Sequence, residues 1–187
     1  YYEEAQELYE EGNCKNASVL VGRAYELYSK HNHQEGMEKC NDLDAEIDNC
    51  LRAQGMNKYK EAGERLRNEE LENAKAFALE AKELFSLIPN QEWVSKCDEL
   101  LQEIERKIRE NIKEMADDYY EEALNFYEKK PPDYLSALQM VKKAKELYSK
   151  IGDEEEVQKC ENLIQNIKID MMQTKEKANL YYTYAQE

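Results

Sequence analysis

The seven residues AYELYSK at positions 24–30 recur twice along this chain. The later copies are AKELFSL at 81–87 and AKELYSK at 144–150. A Lys-Cys pair follows each copy at the same interval, with its cysteine at Cys40, Cys97 or Cys160. Chance similarity among helices rich in Glu and Lys would not keep cysteines in register, so the chain contains an internal repeat of about 60 residues.

Apolar residues within each repeat follow the spacing of α-helices. In the first repeat they include Ala17, Leu20, Val21 and Ala24, which form one stripe along a helix. The equivalent positions in the other two repeats are also apolar. Each repeat is therefore predicted to contain three helical segments, of which the middle one has the clearest periodicity.

Turn signals separate the three segments within each repeat. They are Gly12-Asn13, His31-Asn32, Asn68-Glu69, Pro89-Asn90, Pro131-Pro132-Asp133 and Gly152-Asp153. By contrast, no Gly or Pro lies between residues 90 and 130 or after residue 152. The weakest join is at Gly55, because glycine inside a helix costs about 1 kcal/mol relative to alanine. We expect each third segment to continue into the next repeat as one helix of roughly 35 residues, with Asp153 capping the last one.

The first two segments resemble the tetratricopeptide-type helical hairpin. The resemblance rests on a pattern of a small residue, a turn, an alanine, a large apolar residue and a second alanine, seen here at Ala5, Gly12-Asn13, Ala17, Val21 and Ala24. The three-segment unit is also similar to microtubule-interacting-and-transport domains, which are three-helix bundles. The period of about 60 residues is longer than that of tetratricopeptide repeats. The resemblance implies a fold that binds peptides or helices in grooves and has no catalysis of its own.

The expected architecture is all-α, with tandem three-helix repeats joined by long shared helices into an extended rod or shallow superhelix. Sharper breaks at the joins would instead give a tightly coiled solenoid. The sequence favours continuity between residues 90 and 130 and does not decide between the two near Gly55. The repeats are assigned to residues 1–52, 53–110 and 111–172, and a fourth begins at 173–187. The chain starts at Tyr1 rather than Met and its last residues resemble its first, so we expect a fragment of a longer chain.

Composition and charge narrow the classes of partner. The 187 residues include 26 Lys and Arg against 41 Asp and Glu, which gives a net charge of −15. This acidity argues against nucleic-acid binding, which needs a basic surface. No apolar run approaches the roughly 20 residues that cross a bilayer, so we expect no membrane contact by this segment. The expected partner is a protein or peptide that carries Lys or Arg, and self-association is possible.

The five cysteines fall into two groups. Cys40, Cys97 and Cys160 share one position on an apolar stripe, so they are predicted to be packing residues. Cys14 and Cys50 have no sequence-adjacent partner and are interpreted as free thiols. Free thiols are typical of reducing compartments, so the expected location is cytoplasmic.

Nothing in the sequence predicts catalysis or a cofactor. The chain contains no Gly-rich phosphate loop, no Gly-x-Ser-x-Gly and no Cys-x-x-Cys. His31 and His33 flank a turn without equivalents in the other repeats, and we interpret them as surface residues rather than metal ligands. We therefore expect neither an enzyme nor a metal or cofactor site.

The aromatic residues are the best candidates for contacts with a partner. The chain has 14 Tyr but only 3 Phe and one Trp. Trp93 either covers a joint between repeats or anchors a partner. The predicted partner-binding residues are Tyr1, Trp93, Tyr119, Tyr181 and Tyr184.

The predicted function is a non-catalytic scaffolding module that recognises a helix or an extended peptide in a groove or on a face. The alternative is an acidic structural spacer or self-assembling rod between flanking domains. A third hypothesis is an accessory segment of an enzyme whose active site lies elsewhere.

Overall fold

The fold is all-α, as predicted. A computed structural model describes residues 1–89 and 91–184, without the side chains of residues 180, 181, 183 and 184. Within these residues there are seven helices and no strand. The helices are α1 (Tyr2–Glu10), α2 (Cys14–Lys30), α3 (Gln34–Arg67), α4 (Leu71–Ser86), α5 (Gln91–Glu128), α6 (Tyr134–Ile151) and α7 (Glu154–Tyr184).

Short and long helices alternate after α2. The long helices α3, α5 and α7 contain 34, 38 and 31 residues, which confirms the predicted continuity. At Gly55 the sequence did not decide between a break and a continuous helix, and α3 runs through it. A Cβ added to Gly55 would lie 2.9 Å from Cζ of Phe85. The glycine is therefore needed for the close approach of the Phe85 ring on α4.

Several predicted turns contain a residue with positive φ. Gly12 and Gly152 have positive φ, as do the non-glycine residues Asn32 and Glu69. The predicted cap is confirmed, since Asp153 Oδ1 accepts a hydrogen bond from the Glu156 N–H at 3.4 Å. An equivalent position holds His33, whose Nδ1 accepts from the N–H of Gly36 at 2.9 Å. The sequence did not predict this role for His33.

The chain divides into two compact units, Tyr1–Arg106 and Lys107–Glu187, whose boundary falls inside α5. In the first unit α3 packs against both α2 and α4, around a core that includes Ile47, Leu51 and Phe85. In the second unit α6 packs against α7, around Val141, Tyr148 and Ile167. The repeat boundaries assigned from the sequence remain a prediction.

The prediction that Cys14 and Cys50 are free thiols is wrong. The two form a disulfide between the first residue of α2 and the middle of α3, with 6.3 Å between their Cα atoms. Gln54 tightens the same contact, because its Nε2 donates to the carbonyl oxygen of Gly12 at 2.9 Å. The two cysteines are 36 residues apart, and only the antiparallel packing of α2 on α3 brings them together.

The repeated cysteines are packing residues, as predicted. Cys40, Cys97 and Cys160 are free and buried. Burial raises the pKa of the Cys97 and Cys160 thiols to about 11. Protonated, buried thiols are poor nucleophiles, so these residues contribute to the core rather than to chemistry.

Candidate partner-binding surfaces

Two of the predicted aromatic residues lie in the first unit. Tyr1 is 57% exposed. Trp93 is half-buried, with its ring stacked on Phe85 at a centroid distance of 5.3 Å and edge-on to Tyr59 at 5.4 Å. Lys96 Nζ lies 4.2 Å from the centroid of the Trp93 ring. These contacts place the indole where α3, α4 and α5 meet, within residues 53–110 of the assigned second repeat. That Trp93 covers a joint between repeats remains a prediction.

The other three predicted residues lie in the second unit. Tyr119 is half-buried against the core, and Lys143 Nζ lies 4.8 Å from its ring centroid. The side chains of Tyr181 and Tyr184 are outside the described residues. Among the described rings, Tyr1, Trp93 and Tyr119 do not stack on one another. A role for these five residues in partner binding remains a prediction.

A groove that the sequence did not predict lies between α2 and α3. It encloses a cavity of about 250 Å³. The groove, called the α2–α3 groove below, is lined by Val21, Gly22, Tyr25, Cys40, Asn41 and Asp44. It combines an aromatic ring, an amide and a carboxylate over an apolar floor, which is a mixture suited to a side chain with an apolar stem and a polar end.

The carboxylates on this side of α3 are in an unfavourable environment for their charge. Burial raises the pKa of Asp44 above its ordinary value. One helical turn further on, burial and the negative charge of Asp44 raise the pKa of Asp48, although Arg52 partly opposes this. A cation near Asp44 would stabilise both ionised carboxylates.

A second groove lies between α1 and α3 in the same unit. Its cavity is about 200 Å³. The lining includes two tyrosines and three carboxylates: Tyr2, Tyr9, Glu10, Asp42 and Glu46. The first unit therefore has acidic grooves on both sides of the N-terminal half of α3.

The second unit exposes an apolar surface at the start of α6. A cavity of about 480 Å³ is lined there by Pro131, Pro132, Tyr134, Leu135 and Met171, together with Lys129 and Asp133. Leu135 is 71% exposed. Exposed apolar surface of this kind occurs at contact sites of proteins.

Comparisons with known proteins identify no relative of this chain. No protein-family model matches it, and neither a curated protein nor a solved structure matches it. Among the described residues, no helix has the length and apolar character needed to cross a bilayer. In the same part of the chain, no three His, Cys, Asp or Glu side chains are grouped in a way that would hold a metal ion.

Proposed function

We propose that this chain is a non-catalytic protein-interaction module built from tandem tetratricopeptide-like repeats, and that it binds a basic helix or peptide. The observation that carries the proposal is the pair of acidic grooves along α3, one of which also contains an exposed tyrosine. Grooves between helices are a common binding site for peptides. The repeated sequence and the alternation of short and long helices support the repeat architecture.

The net charge supports a basic partner. A surface with 15 more acidic than basic residues attracts cationic segments over long distances and speeds their association. Because salt screens such attraction over about 10 Å at 0.1 M, binding is expected to weaken as the salt concentration rises.

The test is a fluorescence-anisotropy titration with a short labelled Ala/Lys peptide. We expect saturable binding that weakens between about 20 mM and about 300 mM salt. An Ala/Gln peptide of the same length is the matched control and should not bind. Absence of saturable Ala/Lys binding at the lower salt concentration would contradict the proposal.

The alternative is a structural spacer or self-assembling rod. Three helices of more than 30 residues favour it, because long continuous helices are stiff. Small-angle X-ray scattering with sedimentation distinguishes the two. A spacer should be elongated or self-associated and should bind neither peptide.

The disulfide between Cys14 and Cys50 removes the main argument for a cytoplasmic location. That argument rested on free thiols, whereas these two cysteines are paired. Disulfides persist in oxidising compartments and are rare in the cytosol. The redox state of this pair in the cell of origin, measured by thiol labelling and mass spectrometry, would test the location.

A further inference from the structure

Lysines bridge neighbouring helices at one repeated position of this chain. Lys82 on α4 pairs with Asp98 on α5 at 2.6 Å. Sixty-three residues later in the sequence, Lys145 on α6 pairs with Glu161 on α7 at 2.7 Å. In the second and third repeats, a lysine from the chain itself therefore spans the surface between the second and third segments.

The first repeat lacks this bridge. The residues that align with the lysine and its acidic partner are Tyr25 and Asn41, which line the α2–α3 groove. Gly22 also lines it, where the other repeats have Leu79 and Lys142. At this position the second and third repeats each have a lysine that spans the surface between two helices, whereas the first repeat has the α2–α3 groove.

An acidic group takes the place of an apolar one in the same groove. Asp44 aligns with Leu101 and Ile164 of the later repeats. Asp44 forms no ion pair in the part of the chain that the structure describes, and its negative charge raises the pKa of Asp48 on the same helix. The groove therefore presents a carboxylate that no cation among the described residues pairs with.

The tyrosine of the groove adds a second attraction for a cation. Tyr25 is exposed and lines the groove together with Asp44. Elsewhere in this chain lysines already lie over aromatic rings, as Lys96 does over Trp93 at 4.2 Å. Ammonium groups over aromatic faces are attracted by the ring quadrupole.

We infer that the α2–α3 groove binds a lysine side chain presented by a basic segment of a partner protein, in the place that Lys82 and Lys145 occupy in the later repeats. The lysine stem lies along Val21, Gly22 and the ring of Tyr25, and its ammonium group meets Asp44 and the amide oxygen of Asn41. This inference rests on the proposed function and specifies its site.

The first test compares a variant that lacks a negative charge inside the α2–α3 groove with a variant that lacks one outside it. Asp44→Asn and Glu114→Gln each remove a single negative charge, and Glu114 is an exposed residue of α5 in the other unit. Anisotropy titrations with the labelled Ala/Lys peptide should show about tenfold weaker binding for Asp44→Asn. Binding to Glu114→Gln should stay close to that of the unchanged chain.

The second test closes the groove with the protein's own ion pair. The double variant Tyr25→Lys/Asn41→Asp reproduces the pair of the later repeats and leaves the net charge unchanged. We expect it to retain its helical circular dichroism and its thermal midpoint, and to lose at least about tenfold in affinity for the Ala/Lys peptide. Its unchanged net charge means that long-range attraction cannot account for the loss.

The outcomes separate this inference from the proposed function. If the peptide binds the unchanged chain but Asp44→Asn and Glu114→Gln weaken it equally, or the double variant binds as tightly as the unchanged chain, the groove is not the site and the proposed function stands. If the peptide does not bind the unchanged chain, both are wrong.

Discussion

Gly55 shows how a missing side chain lets two helices approach each other. It lies inside the 34-residue helix α3, where the Phe85 ring of α4 contacts its backbone. Gly63 lies in the same helix, and a Cβ added there would have only the end of the Arg67 side chain near it, at 4.0 Å. The two glycines share the same helix but have opposite packing environments.

Replacing each of these glycines with alanine should therefore have opposite effects. Gly63→Ala should raise the free energy of unfolding by up to about 1 kcal/mol, because alanine favours the helix. Gly55→Ala should lower it by about 1–2 kcal/mol, because displacement of the Phe85 ring outweighs that gain. Urea unfolding followed by circular dichroism measures both, and a gain in stability for Gly55→Ala would contradict the packing described here.

Tyr148 places a phenol in the core of the second unit. Its ring is buried and its hydroxyl donates to Asp117 Oδ1 at 2.5 Å. Burial, and then the hydrogen bond to Asp117, raise its pKa far above the ordinary value of 10. Because the folded state holds this proton more tightly than the unfolded state, Tyr148 contributes stability below about pH 10 that is lost as the pH rises above it.

The Tyr148→Phe variant tests this linkage. At neutral pH it should lose about 1 kcal/mol of unfolding free energy with the hydrogen bond. Between about pH 9 and pH 11 its stability should fall less steeply than that of the unchanged chain. Some alkaline loss should remain, because the hydrogen bond to Asp170 and burial raise the pKa of Tyr127 to about 12. If the unfolding free energies of the two proteins fell equally steeply over this pH range, the raised pKa of Tyr148 would be contradicted.

At the scale of helices, the sequence predicts where most of them begin and end. Glycine and proline mark the turns, and their absence between residues 90 and 130 predicts the continuity of α5. Two features of the helices and turns could not be predicted from the sequence. Gly55 is compatible with either a helix break or a close contact, and Glu69 has a φ of 62° although its side chain does not favour that conformation. The alignment of Glu69 with Gly12 is the one signal for it.

The disulfide belongs to this scale because it joins α2 to α3. Removing it in Cys14→Ser/Cys50→Ser should cost about 2–4 kcal/mol of unfolding free energy, since the bridge restricts the unfolded chain. Reduction of the unchanged protein should give a similar loss.

Thiol titration provides an independent check of the same bond. Without reductant, the unfolded chain should show three reactive thiols, those of Cys40, Cys97 and Cys160. After reduction all five cysteines should react. Five reactive thiols before reduction would mean that Cys14 and Cys50 are not joined.

At the scale of the whole molecule, the sequence predicts an acidic helical chain but does not locate its groove. Alignment of the repeats shows Tyr25 and Asn41 where the later repeats have a lysine and an acidic residue. The sequence alone does not show that this lysine and this acidic residue form an ion pair. The contact between Lys82 of α4 and Asp98 of α5 in the structure shows it. The sequence leaves open whether Trp93 covers a joint between repeats or anchors a partner, and the structure shows that its ring packs against Phe85.

Binding of a basic partner is tested most directly by an NMR titration of the isotope-labelled chain with the Ala/Lys peptide. We expect saturable shifts of the amide signals of residues around the α2–α3 groove, including Gly22, Tyr25, Asn41 and Asp44. The same titration with the Ala/Gln peptide should leave those signals in place. A spectrum that does not change with the Ala/Lys peptide at any residue would contradict the claim that this chain binds a basic partner.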